Sequence, residues 1–307
     1  MSVSIPPPPP TEPTPGAMST TSAAARAGLG GALTLTRRLT ANKVTGAALV
    51  VVLALLGVAV LAPLIAPYGA TNVSLESRLQ PMSGAHPFGT DEVGRDILSR
   101  LIYGARISIG VSLLTVAAAA LVGMLLGAIA GYLGRWIDQI IMRTVDVVLS
   151  FPSLILAIAL AAALGPSLAN AALAIAIVKV PAYARLAYAE TRGASQQLFV
   201  RAARIYGIGP AWIIRRHILP NIRSSILVQT TLDLGDVILL IATLGFLGLG
   251  AQPPSPEWGS MISTGWHYLI DQWWYPTFTG AAIFITVMSF NLLGDGVSDL
   301  LDPTSVD

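Results

Sequence analysis

The sequence predicts an all-α integral membrane protein with six transmembrane helices, and its composition is the first reason. Of the 307 residues, 54% are hydrophobic and only 11% are charged, whereas soluble domains carry about 25% charged residues. Six runs with few charges also come close to, or exceed, the roughly 20 residues that a helix needs to cross a bilayer. These predicted spans are residues 44–64, 107–133, 140–164, 168–187, 225–250 and 275–293.

The distribution of basic residues is the third observation, and it predicts the orientation. Arg37, Arg38 and Lys43 precede the first span, so the N-terminus is expected in the cytoplasm. Six spans then place the C-terminus in the cytoplasm as well. The predicted inner segments hold 13 Lys and Arg, and the predicted outer segments hold four, which are Arg78, Arg95, Arg100 and Arg106. Because this asymmetry is typical of membrane topology, no nucleic-acid partner is expected.

The segment before the first span has a different composition. Residues 1–40 are rich in Pro, Ser, Thr, Ala and Gly, and residues 6–10 are five consecutive prolines. Such a segment cannot bury enough apolar surface to fold. We therefore expect a disordered cytoplasmic tail over residues 1–40 and a transmembrane domain over residues 41–307. A proline-rich ligand for a partner domain is the alternative interpretation of the tail.

Small residues mark one face of the second span. Gly123, Gly127 and Gly131 recur every four residues, a spacing that favours close helix packing. We expect this packing to occur within the chain. Just before the span, His86 lies near several carboxylates, but one histidine with scattered acids lacks the compact spacing of a metal site. No metal site is predicted.

The third span begins with charged residues. Arg143 and Asp146 are three residues apart, so their side chains can touch on a helix. The spacing predicts a structural ion pair between them. Pro152 is expected to kink this span, because proline removes a helical hydrogen bond.

Ionisable residues also fall inside the fourth and fifth spans. Lys179 lies in the fourth span, and Asp233 and Asp236 lie in the fifth. Ionisable groups at such depth are costly and usually face a bundle interior or an aqueous path. Two interpretations remain open. Lys179 pairs with Asp233 or Asp236, or the three groups line a translocation path.

The polar stretch between these two spans, residues 190–223, is predicted to form two short helices. Leu198, Ala202 and Ile205 fall on one face of the first helix, and Arg201 and Arg204 fall on the other, which is an amphipathic pattern. The second helix is expected to begin and end at prolines. Gly207 and Gly209 are expected to end the first helix, Pro210 to open the second and Pro220 to end it.

The order of small residues, glycine and proline in this stretch resembles the coupling loop of ABC importer permeases. The resemblance rests on Ala202-Ala203, then Gly207, then Leu219-Pro220. Further stretches resemble the C-type permease of dipeptide, oligopeptide and nickel importers, and together they cover roughly residues 40 to 305. These stretches are residues 86–108, 131–159, 246–262 and 291–303.

The resemblance implies a type I ABC importer permease fold in a bacterial inner membrane. It implies that residues of the loop couple to an ATPase, namely Arg201, Ala202, Ala203, Arg204, Gly207, Leu219 and Pro220. Arg201 departs from the family, whose usual residue there is glutamate. The implied partners are membrane lipid, a second homologous permease, two ABC ATPase subunits that bind ATP and Mg, and an extracytoplasmic substrate-binding protein.

The sequence contains no catalytic signature of its own. It lacks the G-x-x-x-x-G-K-[ST] loop that cradles nucleotide phosphates, and it lacks the metalloprotease motif HExxH. We therefore expect a non-catalytic transport subunit without a cofactor, and di- or oligopeptides as its substrates. The alternatives are nickel or another small solute as substrate, or a stand-alone secondary transporter. The latter predicts inverted repeats with broken helices.

Overall fold

The computed structural model describes residues 42–301, and these residues form a helical bundle. The predicted disordered tail, residues 1–40, lies outside the described residues. The helices, numbered in chain order, are α1 (Lys43–Ile65), α2 (Ile97–Leu133), α3 (Arg135–Leu149), α4 (Ser153–Leu164), α5 (Leu168–Ser195), α6 (Leu198–Ile205), α7 (Pro210–Ile213), α8 (Leu219–Phe246), α9 (Trp258–Trp266) and α10 (Trp274–Leu301). A π-helical turn, Ile214–Ile218, joins α7 to α8.

Five stretches of the described chain are long and apolar enough to cross a membrane. They are α1, α2, α5, the stretch from Pro210 to the end of α8, and α10. A sixth crossing is available if α3 and α4 are counted as one span, and these two helices meet at an angle of 95°. The prediction of an all-α integral membrane protein is confirmed.

The break between α3 and α4 corrects the predicted continuous span over residues 140–164. At the end of α3, the Ser150 N–H turns back to the Asp146 carbonyl oxygen at 3.1 Å. Pro152 then caps α4, and its carbonyl accepts the Leu156 N–H at 3.1 Å. Because proline has no N–H, it cannot continue the hydrogen bonds of α3. In place of the expected kink, α3 and α4 lie nearly perpendicular to each other.

Other helices are longer than the hydrophobic runs suggested. The second begins at residue 97 instead of 107, because Asp96 caps it and accepts the Ser99 N–H at 2.7 Å. Its 37 residues correspond to about 55 Å, well beyond the roughly 30 Å hydrocarbon core. The helices predicted at 168–187, 225–250 and 275–293 run over residues 168–195, 219–246 and 274–301.

The glycine face of α2 packs against the backbone of α5, as expected from the sequence. A Cβ at Gly127 would collide with the Ala184 carbonyl oxygen, and a Cβ at Gly131 would lie 2.9 Å from Thr191 Cβ. Both contacts involve backbone or Cβ atoms, which cannot move aside by changing rotamer. The glycines therefore set how closely the two long helices approach each other.

This packing predicts a clear difference between two glycines of α2. Gly127→Ala is expected to lower the free energy of unfolding by about 1–3 kcal/mol, because the added methyl group overpacks the α2–α5 contact. Gly110→Ala is the control, since nothing lies within 4 Å of its Cβ position. Thermal unfolding of the purified variants measures the difference. Equal melting temperatures would contradict the packing described here.

The helix α9 packs beside α8 through a buried cap. Glu257 is 0% exposed, and its carboxylate accepts the N–H groups of Gly259 and Ser260 at 2.8 Å each. Burial raises the pKa of the Glu257 carboxyl, although these two N–H donors act in the opposite direction. The close approach needs glycine, because a Cβ at Gly259 would collide with the Ala242 backbone of α8.

A buried polar cluster, formed by Asp91, Glu92, Arg95, Arg100 and Tyr275, ties the segment before α2 to the rest of the bundle. Asp91 Oδ2 lies 2.6 Å from Arg95 Nε and 3.5 Å from Arg100 Nε. Glu92 accepts the Tyr275 hydroxyl of α10 at 2.9 Å and pairs with Arg95 at 2.7 Å. The four charged members of this cluster therefore contact one another, and Glu92 connects them to α10.

His86, the other residue weighed in that segment, binds Asp96. The distance from His86 Nδ1 to Asp96 Oδ1 is 2.9 Å. Arg100 donates to the carbonyl oxygen of Pro254 at 3.3 Å, which links the start of α2 to the loop before α9. The segment is a structural joint between distant parts of the chain.

Candidate coupling surface and charged cluster

The predicted coupling stretch folds as a short helix, a tight turn and a second helical segment. Only two residues separate α5 from α6. The rings of Phe199 and His217 lie 5.6 Å apart, and those of Trp212 and His217 lie 5.1 Å apart. These contacts hold α6 against α7 and the π-helical turn, so the stretch is connected to both α5 and α8.

The face of α6 that the chain itself buries differs from the predicted apolar face. Val200 is 0% exposed and Ala203 is 5% exposed. Leu198 and Ile205 are each 84% exposed, and Tyr206 is 85% exposed. Large apolar side chains with such exposure are typical of interaction sites when they cluster. We call Leu198, Ala202, Ile205 and Tyr206 the α6 surface.

The two arginines of α6 have partners within the chain. The Arg204 guanidinium lies 4.8 Å from the centre of the Tyr132 ring at the end of α2, which is within the range of a cation–π contact. Arg201 donates to Gln196 at 3.1 Å. Arg204 is therefore turned partly toward α2, and Arg201 borders the exposed side of α6.

Gly207 forms the turn after α6 by adopting a left-handed backbone. Its φ is +74°, a region that favours glycine. The Gly207 N–H bonds to the Arg204 carbonyl and the Ile208 N–H bonds to the Ala203 carbonyl, both at 3.1 Å. This is the Schellman pattern of helix termination. Gly209 has a φ of −64° and instead caps α7.

Pro220 does not end a helix, which corrects the prediction. It lies in the first turn of α8, where proline is tolerated. The Leu219 N–H bonds to the Ile214 carbonyl five residues earlier, so the hydrogen-bond register changes just before a residue that has no N–H. Ile213, Ile218 and Ile222 are fully buried and fix this segment to the core.

The intramembrane residues Lys179, Asp233 and Asp236 come together between α5 and α8. Lys179 Nζ lies 3.1 Å from Asp233 Oδ1 and also contacts Asp236 Oδ2. The side chain of Asp233 is 11% exposed, whereas that of Asp236 is 54% exposed. One ammonium therefore faces two carboxylates of unequal exposure.

The predicted pair between Arg143 and Asp146 is replaced by pairs between helices. Asp146 binds Arg185 of α5, and Asp138 lies 3.7 Å from Arg192 of α5. Helical spacing shows which side chains of one helix can touch, but α5 lies alongside α3 and offers its own arginines. Asp138 also accepts the Tyr188 hydroxyl at 3.0 Å.

Two further residues were missed from sequence. Tyr183 lies one turn after Lys179 on α5, is 0% exposed and is adjacent to Asp233. Its i+4 spacing from Lys179 was the signal that could have identified it. Arg185 gave no signal beyond its charge. Among residues 42–301, no group of three His, Asp or Glu side chains could hold a metal ion.

Comparisons with known proteins give consistent results. Residues 123–306 match the family described as binding-protein-dependent transport system inner membrane component. Residues 34–81 match the N-terminal TM domain of oligopeptide transport permease C.

Individual relatives are similar over most of their length. The chain is 50% identical to the probable D,D-dipeptide transport system permease protein DdpC of Escherichia coli, over 85% of this chain and 87% of that protein. It is 46% identical to the dipeptide transport system permease protein DppC of Alkalihalophilus pseudofirmus, over 87% and 88%. It is 42% identical to the glutathione transport system permease protein GsiD of Pectobacterium atrosepticum, over 87% and 89%.

Proposed function

The chain belongs to the family of binding-protein-dependent transport system inner membrane components, and on that premise we propose that it forms half of an ATP-driven import path for dipeptides and other short peptides. The family makes it a multi-pass inner-membrane permease and a transport subunit. Relatives named for D,D-dipeptide, dipeptide and glutathione transport support the peptide class. A second, homologous permease supplies the other half of the path.

The observation that supports ATPase docking is the α6 surface. Leu198 and Ile205 are each 84% exposed, although α6 is anchored from its opposite side by Val200 and Ala203. Ala202 leaves room between them for another protein to approach closely. Of the two ATPase subunits, which bind ATP and Mg, one would cover this surface and the other would dock on the second permease. Arg201 beside it favours an acidic groove on the ATPase.

The connections of α6 explain how such docking would move the spans. It is joined to α5 by two residues and to α8 by the Gly207 turn and the buried isoleucines of the following segment. A displacement of α6 therefore reaches both helices that contain the charged cluster. Leu219 and Pro220 transmit it at the start of α8. An extracytoplasmic binding protein delivers the peptide at the other end.

Orientation follows from the charges flanking the spans. Lys43 precedes α1, and the coupling stretch contains Arg192, Arg201, Arg204, Arg215, Arg216 and Arg223. The positive-inside bias supports a cytoplasmic position for both, where ATP is available to the partner subunits. With six spans, we propose the same side for the end of α10.

Gly207→Ala is expected to weaken coupling while the spans remain inserted. A non-glycine residue in the left-handed region costs roughly 1–2 kcal/mol, which shifts α6 from its position. Gly209→Ala is the matched control, because Gly209 has a φ of −64° and nothing within 4 Å of its Cβ position. Peptide import by the reconstituted complex should fall for Gly207→Ala alone. Equal import by both variants would contradict the role of the turn.

Reconstitution tests the function directly. The chain is assembled with its candidate second permease, ATPase and binding protein in proteoliposomes, and uptake of a radiolabelled dipeptide is measured. ATP-dependent uptake that needs all four components is the expected result. Uptake that persists without the ATPase, or that follows an ion gradient, would instead indicate a secondary transporter.

A further inference from the structure

The charged cluster between α5 and α8 has an excess of negative charge. Lys179 Nζ lies 3.1 Å from Asp233 Oδ1 and contacts Asp236 Oδ2. With all three groups ionised, one ammonium faces two carboxylates and the net charge is −1. An unbalanced charge within a span is costly, so the cluster favours the approach of a further cation.

Exposure distinguishes the two carboxylates. The side chain of Asp233 is 11% exposed and that of Lys179 is 14% exposed, whereas that of Asp236 is 54% exposed. Lys179 therefore bridges a buried carboxylate, Asp233, and a half-exposed carboxylate, Asp236, which can also be approached from outside. Asp236 is 17 residues beyond Leu219, or about 25 Å along α8, so this site is remote from the α6 surface.

Two buried polar atoms, Tyr183 Oη and Asp233 Oδ2, lie in the same charged cluster. The Tyr183 residue is 0% exposed and its hydroxyl lies beside Asp233. Within the described part of the chain, neither Tyr183 Oη nor Asp233 Oδ2 has a hydrogen-bond partner. Nearly all buried polar groups in proteins have one. The hydroxyl and the carboxylate face each other, so a polar group that enters the cluster during transport would contact both.

The surroundings of Asp236 are otherwise apolar. On the same face of α8, Leu239 is 48% exposed and Phe246 is 39% exposed, and Thr243 lies between them. Apart from its contact with Lys179 and the Thr243 hydroxyl in the same strip, the Asp236 carboxylate is exposed among apolar side chains. Its exposure is consistent with a position on an aqueous path rather than toward lipid.

We propose that Asp236, together with the Lys179–Asp233 pair and Tyr183, is a transit site for a cationic group of the transported solute. The ammonium of a lysine side chain has the required charge and three donors. It would pair with Asp236 and neutralise the cluster. Because Asp236 is half exposed, the contact is weak enough for the solute to leave. This inference rests on the proposed function of peptide import.

The test compares solutes of opposite charge in the fully assembled, reconstituted importer. Maximal uptake rates of Lys-Ala and Glu-Ala are measured with the binding protein saturated, so that its own affinity does not enter. Wild type is expected to favour Lys-Ala by about fivefold, the upper range for an ion pair at a half-exposed site. Asp236→Asn should bring this ratio close to one, and Asp236→Glu should restore it.

The control is Asp271→Asn, which removes an exposed carboxylate outside the spans. It should leave the ratio at the wild-type value. A wild-type ratio in Asp236→Asn would overturn the transit site. Loss of the assembled complex in Asp236→Asn would also overturn it, because the missing cation would then belong to the second permease. Absence of uptake of both dipeptides by wild type would instead refute peptide import itself.

Discussion

Ile205→Asp is expected to abolish stable association with the ATPase without unfolding the chain. Ile205 is 84% exposed, so an aspartate there is solvated in the isolated subunit. In the complex its charge would be buried in the docking interface, where it would also lie near the acidic groove proposed for the ATPase. Loss of a central interface residue commonly costs 2 kcal/mol or more, which corresponds to about a 30-fold loss of affinity. Co-purification of tagged permease with ATPase measures it.

A matched control exists in the loop between α9 and α10. Ile270 is 95% exposed and lies between α9 and α10, so Ile270→Asp introduces the same charge into an equally open position. Ile270→Asp should retain the ATPase at wild-type levels. If Ile205→Asp also retains it, the α6 surface is not the docking site. Equal thermal stability of the two variants excludes a folding effect.

Asp91→Asn is expected to cause a large loss of stability. Asp91 is 0% exposed and pairs with Arg95 at 2.6 Å, and Arg100 lies 3.5 Å away. Removing one member of a buried ion pair typically costs about 3–5 kcal/mol, because the remaining charge is left uncompensated. Arg95 would keep Glu92, but the buried Arg100 guanidinium would lose its carboxylate contact. A strongly lowered midpoint of thermal unfolding is the expected observation.

Glu76→Gln provides the comparison for Asp91→Asn. Glu76 is an exposed carboxylate in the same segment before α2, and surface substitutions usually change stability by less than about 0.5 kcal/mol. The two variants therefore remove the same charge from a buried and an exposed position. Similar melting temperatures for both would show that the buried polar cluster does not stabilise the bundle.

The parts of the fold that could be predicted follow from local chemistry. The spans were predictable because a bilayer requires long apolar helices, and Gly127 was predictable because its spacing fits close packing. The break after α3 was underestimated. Pro152 indicated a kink, but a proline does not by itself fix the size of the angle, which is 95° here.

The candidate site was only partly predictable, for tertiary reasons. The helical spacing of apolar residues in α6 predicted an apolar face with Leu198 and Ile205. It could not show that Val200 and Ala203 are the residues that the chain itself buries. The contact of Lys179 with both aspartates required two helices to align. Arg185 displaced Arg143 as the partner of Asp146 for the same reason.

A single engineered cysteine at Ile205 tests the central claim, that α6 docks on the ATPase. The chain contains no cysteine. Ile205→Cys therefore places a single thiol at the α6 surface, and Ile270→Cys places a single thiol in the loop between α9 and α10. Each variant is labelled with a thiol-directed photocrosslinker as the separate subunit and is then assembled with its partners before illumination. The account predicts an adduct with the ATPase from Ile205→Cys and none from Ile270→Cys. Efficient labelling at Ile205→Cys without an ATPase adduct would contradict it.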